Sequence, residues 1–243
     1  MEDSKLYEKV RPIPIGLDLH SLSEKVRGTS HQQVRNFVCA QRQDIKSVRT
    51  SNYVQFKDRP VSVNAEFQCE FTSPKGRIER LKTRGEICNL LSKERNGNSS
   101  FTIADHVTFG SNRRRLSPEQ GRLRKVSFWE RLSKGSFSLA PPGFGTDTHR
   151  LWEILQMHTV PIVITSPLDP LYKQFPIVIV NDWKEVFEIG ALEIFKKEII
   201  EKWGENPFND ETMYRLSSDY WAEEVNRKIA HKNKNNFKAC HNC

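Results

Sequence analysis

The residues best suited to chemistry lie in one loop, PPGFGTDT, between two apolar runs. Gly143 and Gly145 can adopt positive φ and let a ligand approach the main chain closely. Thr146, Asp147 and Thr148 are each suited to cap a helix that begins just after them. A helix N-terminus presents unpaired N–H groups and a partial positive charge, so the loop predicts a site for an anion such as a phosphate group.

Two charged residues lie near the start of that predicted helix. Arg150 is a cation where the helix dipole disfavours positive charge by about 0.3 to 1 kcal/mol, so its position makes sense if it pairs with a ligand phosphate. Glu153 lies one turn further on, where its carboxylate could accept hydrogen bonds from ribose hydroxyls. A surface ion pair between Arg150 and Glu153 explains the same spacing equally well. The third glycine of the dinucleotide fingerprint is missing, so Gly-x-Gly alone is a weak indication.

The elements that must position the loop form a strand–helix–strand unit. Residues 136–140 form a short run bounded by glycine and proline that we interpret as a buried strand. Residues 161–164 are an apolar run without polar alternation, which is typical of a buried parallel strand. Residues 149–158 place apolar side chains at helical spacing between them. The sequence therefore predicts a βαβ unit and an α/β fold, a Rossmann-like and mostly parallel sheet with flanking helices.

Other segments supply the rest of this domain. Residues 61–71 alternate strictly between apolar and polar, which predicts a half-exposed strand at a sheet edge or beneath a further domain. Residues 78–93 have helical spacing and follow a loop with Arg77, a second candidate phosphate ligand that could equally be a solvated charge. The remaining predicted elements are a modest helix within 25–52, a strand over 101–109, a short helix over 128–132, and amphipathic helices over 192–203 and 210–229.

The predicted elements divide the chain into three parts. Residues 1–60 form an arm or the remnant of a preceding domain, residues 61–231 form the nucleotide-binding domain, and residues 232–243 form a basic flexible tail. In the first part, Asp18 and His20 follow a short predicted strand, and a carboxylate and an imidazole so placed could act as acid and base. Asp18 could instead cap a following helix.

Charge and cysteine content narrow the partners and the compartment. The net charge of +8 favours anionic partners. The densest basic cluster comprises Arg113, Arg114, Arg115, Arg122, Arg124 and Lys125. It lacks interleaved aromatic residues and zinc-finger spacing, which favours a solvated loop over nucleic-acid binding.

The chain has no run of about 20 apolar residues and no apolar N-terminal core, which predicts a soluble protein without signal peptide or anchor, cytoplasmic by default. Five cysteines, an odd number and mostly far apart, predict reduced thiols rather than a disulfide framework. Cys240 and Cys243 have zinc-compatible spacing, but no second pair completes four ligands, so no metal site is predicted.

The order of residues around the loop resembles a known family, the exostosin-like glycosyltransferases, in the half that binds the nucleotide sugar. The matching positions are 137–141, Gly143, 149–155, 160–163, Leu171, Pro176, Asp182 and Trp183. Residues 12–20 are similar to the segment that leads into this half in related microbial and viral sequences.

The resemblance implies the C-terminal half of a GT-B fold, in which two Rossmann-like domains face each other and the C-terminal one binds the donor. It implies that Arg150 meets the diphosphate, that Glu153 meets the ribose, and that residues 143–148 with His149 cradle a UDP- or GDP-sugar. It places Asp18 and His20 at the interdomain cleft. The donor would be a substrate, with no tightly bound cofactor.

The same resemblance implies transfer of a sugar to a hydroxyl acceptor such as a glycan. A complete GT-B enzyme also needs an acceptor-binding domain, and 243 residues predict that most of it comes from elsewhere, for example from a partner chain. Family members are commonly Golgi proteins. Two other functions stay open, namely a non-catalytic relic or partner subunit, and a basic protein that binds nucleic acid or anionic glycan.

Overall fold

A computed structural model of the chain describes residues 12–17, 31–67, 78–95, 118–143 and 145–230. Within these ranges the chain forms a four-stranded parallel sheet flanked by helices. This confirms the predicted α/β class with a Rossmann-like parallel sheet. No helix within the same ranges is long and apolar enough to cross a membrane.

The four strands are β1 (Val63–Asn64), β2 (Phe137–Leu139), β3 (Val160–Ile164) and β4 (Val178–Val180). They lie side by side in chain order, and every neighbouring pair is parallel. The carboxyl ends of all four therefore meet at one edge of the sheet, which we call the carboxyl edge. The opposite side is the amino edge.

The helices are α1 (His31–Ser51), α2 (Ile78–Arg95), α3 (Pro118–Leu132), α4 (His149–Gln156), α5 (Asp169–Tyr172), α6 (Ala191–Trp203), α7 (Asp210–Arg215) and α8 (Ser218–Ala230). Short 3-10 turns occupy Phe56–Asp58 and Trp183–Phe187. The β2–α4–β3 unit has the order that the sequence predicts. All three residues of β2 and the first four residues of β3 are buried, and α4 buries four apolar side chains.

The strand predicted over 61–71 lies at the end of the described sheet, with Val63, Ala65 and Phe67 buried on the expected face. Asn64, on the other face, is buried as well. Its side-chain oxygen accepts the N–H of Glu66, and its main-chain carbonyl accepts the hydroxyl of Ser138. These bonds explain how a polar residue is accommodated there.

Three helix predictions were wrong in extent. The helix predicted over 128–132 begins at Pro118, so the basic residues Arg124 and Lys125 lie on a helix and not in a solvated loop. The modest helix predicted within 25–52 spans 21 residues, and Ile45 and Val48 in its second half are buried. The last predicted helix is two helices, and the Ser217 hydroxyl accepts the N–H of Tyr220 at the break.

The amino edge is tied together by the buried guanidinium of Arg59. Its Nη1 donates to the carbonyls of Gly135 and Met157 at 3.4 and 3.3 Å and to Thr159 Oγ1 at 3.1 Å, and its Nε donates to Val54 O at 3.1 Å. Burial lowers the pKa of Arg59 to about 10. One side chain thus links the residues that precede β2 and β3.

His158 lies beside Arg59 in the turn between α4 and β3. Its φ is +56°, a left-handed conformation that residues other than glycine seldom adopt. The imidazole stacks on Phe208 with ring centres 5.2 Å apart and planes at 2°, and it meets the edge of Tyr53. Burial, followed by the charges of Arg49 and Arg59, lowers the pKa of His158 to about 3.

The lowered pKa of His158 predicts that the folded protein loses stability in acid. The unfolded chain protonates this imidazole near pH 6.5 and the folded chain near 3, so between those values the unfolded state binds more protons. Stability from the neutral ring is complete above about pH 6.5 and is lost as the pH falls toward 3. We expect the wild type to lose about 1 kcal/mol more than His158→Asn between pH 7 and pH 5, since asparagine tolerates positive φ and does not titrate. Urea unfolding at both pH values measures this, and identical losses would contradict it.

Cys39 and Cys88 are each disulfide-bonded. The prediction of reduced thiols was therefore wrong for these two residues. Their wide spacing in sequence carried no information about distance in space, which is what decides whether a disulfide can form.

The disulfides predict that Cys39 and Cys88 resist alkylation even in the denatured chain. Peptide mapping after iodoacetamide treatment in urea should find both unmodified without reductant and modified with it. Reduction should also lower the free energy of unfolding by about 2 to 4 kcal/mol, because the unfolded chain regains entropy. Alkylation of both residues without reductant would overturn the assignment.

Candidate anion-binding site

The loop that follows β2 lies at the carboxyl edge and is tightly folded. The Gly143 N–H donates to Gly145 O at 3.0 Å. Neither Gly143 nor Gly145 has a positive φ, so the backbone conformation predicted for them is wrong. The need for glycine is steric, since a Cβ on Gly143 would lie 3.2 Å from Arg84 Nη2 and one on Gly145 would lie 3.3 Å from Asp147 O. The loop is thus packed closely against its neighbours.

Helix α4 begins directly after this loop. Thr148 is the residue before the first helical turn, with extended φ and ψ of −132° and 143°, and its side chain makes no capping hydrogen bond. Thr146 is exposed. Of the three predicted capping residues, Thr148 therefore holds the capping position without capping the helix through its side chain.

Asp147 and His149 hold the segment 12–17, which we call the strap. The N–H of Ile15 donates to Asp147 Oδ2 at 2.7 Å, and His149 Nδ1 lies 2.8 Å from Gly16 O. A carbonyl only accepts, so Nδ1 carries the hydrogen in this bond. Trp152 Nε1 donates to Asp147 Oδ1 at 2.8 Å. Burial raises the pKa of Asp147, and these hydrogen bonds oppose the rise.

Arg150 bridges from α4 to the end of β1. Its Nη1 donates to the main-chain carbonyl of Glu66, and its guanidinium lies over the ring of Phe128 at 5.1 Å. Burial lowers the pKa of Arg150, while the charges of Glu153 and Glu66 act in the opposite direction. The arginine predicted to meet a phosphate is therefore half-buried at the carboxyl edge and held by main-chain and aromatic contacts.

Glu153 is buried, with 6% of the residue exposed. Lys125 Nζ on α3 lies 3.0 Å from its Oε1, although that oxygen makes no hydrogen bond of good geometry, so the contact is electrostatic. The charge of Glu153 raises the pKa of Arg150, but because Glu153 is buried the two residues do not form a surface ion pair. Glu153 thus joins α4 to α3 through Lys125.

The structure adds Arg84, a residue that sequence reasoning missed. It lies on α2, is 8% exposed, and donates from Nε to Pro142 O at 2.8 Å in the loop. Burial, and then the charge of Arg150, lower the pKa of Arg84 to about 10. No sequence signal marked this residue, because an arginine inside a predicted polar helix looks like an exposed one.

A second missed residue is Tyr172 on α5. It is 1% exposed, its hydroxyl has no hydrogen-bond partner among the described residues, and Asp147 and Asp169 act on it electrostatically. Burial raises the pKa of Tyr172, with Asp147 and then Asp169 adding to the rise.

Asp18, His20 and Arg77 lie outside the described residues, as do the strand predicted over 101–109 and Arg113 to Arg115. Among the residues that are described, no three His, Cys, Asp or Glu side chains are grouped so that they could hold a metal ion. The structure thus brings together residues 143–149 (apart from Phe144), Arg150 and Arg84 at one edge, with Glu153 buried behind them.

Comparison with known proteins adds no assignment, since the sequence matches no family model and no curated protein. The function therefore has to be argued from the site itself.

The pairing of Glu153 predicts a structural role for this carboxylate. Glu153→Gln should lower the free energy of unfolding by about 2 to 4 kcal/mol, because it leaves the ammonium of Lys125 poorly compensated in a mostly buried position. The matched control is Glu211→Gln, whose partner Arg215 is in an exposed i,i+4 pair, and it should cost less than about 1 kcal/mol. Equal unfolding midpoints for the two variants in guanidinium would show that Glu153 has no such role.

Proposed function

We propose that the chain binds a nucleotide sugar at the carboxyl edge and acts in glycosyl transfer to a hydroxyl acceptor. The observation that carries this proposal is the position of the loop. It follows an interior strand of a parallel sheet and leads directly into a helix whose first turn contains a half-buried arginine. Ligands of parallel α/β sheets bind outside the carboxyl ends of the strands, and helix N-termini favour phosphate.

The chemistry of transfer fits this arrangement. Breaking the bond between the sugar and the diphosphate leaves negative charge on the departing phosphate. Fixed donors placed where that charge develops lower the barrier, and Arg150 with the N–H groups of the loop and of α4 would supply them. The loop would hold a UDP- or GDP-sugar without a tightly bound cofactor.

A base must also remove the proton of the acceptor hydroxyl. Asp18 and His20 are the candidates, because they follow Gly16 by two and four residues in the sequence, and Gly16 O bonds to His149 beside Arg150. The ribose role of Glu153 is not favoured by its burial against Lys125, so recognition of the sugar-nucleotide ribose needs a different group. Lys125 itself belongs to the basic cluster considered for nucleic acid, and its contact with Glu153 argues against that use.

The disulfide bonds at Cys39 and Cys88 bear on the compartment. Disulfides persist in oxidising environments and are rare in the cytosol. They favour an oxidising compartment, such as the Golgi lumen in which proteins of the exostosin-like family commonly lie, over the cytoplasm that the sequence analysis predicts. Disulfide bonding and glycosyl transfer are compatible in that setting.

The proposal predicts that a nucleoside diphosphate binds more tightly than its nucleoside. Isothermal titration calorimetry with the nucleosides and nucleoside diphosphates of uracil, guanine and adenine tests this. Equal affinities for a nucleoside and its diphosphate would show that the site does not recognise the diphosphate. Arg150→Ala should weaken diphosphate binding by about 1.5 to 3 kcal/mol if its hydrogen bonds to the ligand are charge-assisted. Arg215→Ala, which removes an exposed arginine on α7, is the control and should leave the affinity unchanged.

A second prediction concerns turnover. Proximity of donor and acceptor can supply about 7 to 11 kcal/mol of the barrier in a two-domain enzyme, and the proposal assigns the described sheet to the donor side. We expect residues 1–243 to bind donor but to transfer little sugar unless further residues of the protein or a partner chain supply an acceptor domain. Release of nucleoside diphosphate in the presence of a panel of sugar acceptors measures this. Robust transfer by the chain alone would contradict the need for a partner and make Asp18 and His20 the first residues to substitute.

A further inference from the structure

One face of α3 lies beside the first turn of α4. Lys125 and Phe128 are three residues apart, which places them on the same face of α3. Nζ of Lys125 lies 3.0 Å from Oε1 of Glu153. One turn further along α3, the guanidinium of Arg150 lies over the ring of Phe128, 5.1 Å from the ring centre. Two contacts therefore join the two helices, and the guanidinium itself makes one of them.

Arg131 extends the same face of α3 by one more turn and acts on Arg150 through Glu66. Its Nε and Nη2 donate to the two carboxylate oxygens of Glu66 at 2.8 and 2.7 Å. The main-chain carbonyl of Glu66 in turn accepts a hydrogen bond from Nη1 of Arg150. A bidentate pair between arginine and carboxylate has a fixed geometry, so it restrains Glu66. The residue that accepts Arg150 is thus tied to the same helix as the ring beneath the guanidinium.

The contacts with Glu66 and Phe128 use only part of the guanidinium of Arg150. Nη1 donates to the Glu66 carbonyl, whereas Nε and Nη2 make no hydrogen bond within the part of the chain that the structure describes. Nε and Nη2 are the pair of donors along one side of the group, and such a pair fits two oxygens of one phosphate. The contacts therefore hold Arg150 and leave its bidentate side for a ligand.

A cation in the first turn of a helix needs support of this kind. The partial positive charge of the helix N-terminus disfavours it there. A guanidinium that was free to rotate would also lose that freedom whenever a ligand bound it, and the loss would weaken binding. The contacts of Arg150 with Phe128 and Glu66 reduce this cost, because they hold the side chain in place before a ligand arrives.

We propose that Phe128 and Arg131 are positioning residues of this site, which hold the guanidinium of Arg150 ready to bind one phosphate group of the donor. Phe128 acts directly through its ring, and Arg131 acts through Glu66. This inference rests on the proposed function and deepens it, because it names the groups that preorganise Arg150 for the diphosphate. Helix α3 then belongs to the site through Arg150.

The first measurement needs no ligand. In protein labelled with nitrogen-15, the Nε–H signal of Arg150 is identified by its absence from Arg150→Lys. Its order parameter reports motion on the picosecond to nanosecond timescale. We expect about 0.85 in the wild type, as in rigid backbone, and less than about 0.6 in the double variant Phe128→Leu, Arg131→Gln. Each single variant should give an intermediate value, because one of the two contacts remains.

The second measurement is the affinity for uridine diphosphate and guanosine diphosphate, by titration calorimetry. Phe128→Leu and Arg131→Gln should each weaken diphosphate binding by about three- to tenfold, because the ligand then has to order the arginine. Neither substitution should have more than about a twofold effect in the Arg150→Ala background, where there is no guanidinium to position. A role in stability alone would not depend on Arg150 in this way.

Conservative variants separate loss of a contact from loss of the fold. Phe128→Tyr keeps the aromatic ring and should bind diphosphate as the wild type does. Arg131→Lys keeps the charge without the planar fork, so it should give a smaller loss than Arg131→Gln and serves as the test if the glutamine variant does not fold. Thermal unfolding of each variant shows that the titrated protein is folded.

The matched controls lie elsewhere in the chain. Phe195→Leu removes a ring that is also partly buried against the core, but the adjacent Lys196 bonds to Arg59 O at the amino edge. Arg215→Gln breaks an arginine–glutamate pair on α7. Both variants should keep the wild-type order parameter of Arg150 and the wild-type affinity for diphosphate.

The outcomes separate this inference from the function on which it rests. If a diphosphate binds in an Arg150-dependent way, and folded Phe128→Leu and Arg131→Gln bind it as the wild type does, the inference is overturned and the proposed function stands. Weakening that persists undiminished in the Arg150→Ala background also overturns the inference, because it shows a structural role. If neither diphosphate binds, the proposed function fails and the order parameter decides. A drop in the double variant then supports the positioning of Arg150 by α3, and an unchanged value overturns it.

Discussion

The sheet depends on one buried cation, Arg59. Its guanidinium donates hydrogen bonds to the main-chain carbonyls of Val54, Gly135 and Met157. In the unfolded chain these carbonyls bond to water, so the folded chain must supply donors in its place. These carbonyls belong to the segment before β1 and to the residues that precede β2 and β3. By fixing the starts of the strands relative to one another, Arg59 fixes where the strands end, and hence where the loop after β2 is presented.

Each edge of the sheet contains a buried arginine, Arg59 at the amino edge and Arg84 at the carboxyl edge. Arg59 and Arg84 are both almost fully buried, and burial lowers the pKa of each to about 10. Arg59 is surrounded by carbonyl oxygens, and its described contacts are those of a structural cross-link. Arg84 lies beside a second arginine, and that neighbour makes its burial more costly.

The parts of this molecule that local sequence determines were predictable, and those that depend on contacts between distant residues were not. The runs around Phe137 and Ile162 contain only apolar and small residues, and both are buried, as expected for strands in a covered parallel sheet. The positions of the loop and of the start of α4 were predicted correctly, although neither glycine has positive φ and Thr148 makes no side-chain capping bond. The position of Arg84 at the loop, in contrast, depends on its hydrogen bond to Pro142, which is 58 residues away in the sequence. The contact of Glu153 with Lys125 and the disulfide bonding of Cys39 and Cys88 likewise depend on distances in space, which spacing along the sequence does not give.

The strap is held at the site through its main chain, since Asp147 binds an amide hydrogen of Ile15 and His149 binds a carbonyl oxygen of Gly16. Neither contact selects a side chain. Gly16 alone is constrained by its backbone, with φ at +72°, and Leu17 by its packing on the core. Over evolutionary time the side chains at positions 12 to 15 can therefore drift while the path of the segment stays fixed. The course of the strap past the loop is thus a property of its main chain, and a substitution at Ile13 or Ile15, whose side chains are exposed, would leave that course unchanged.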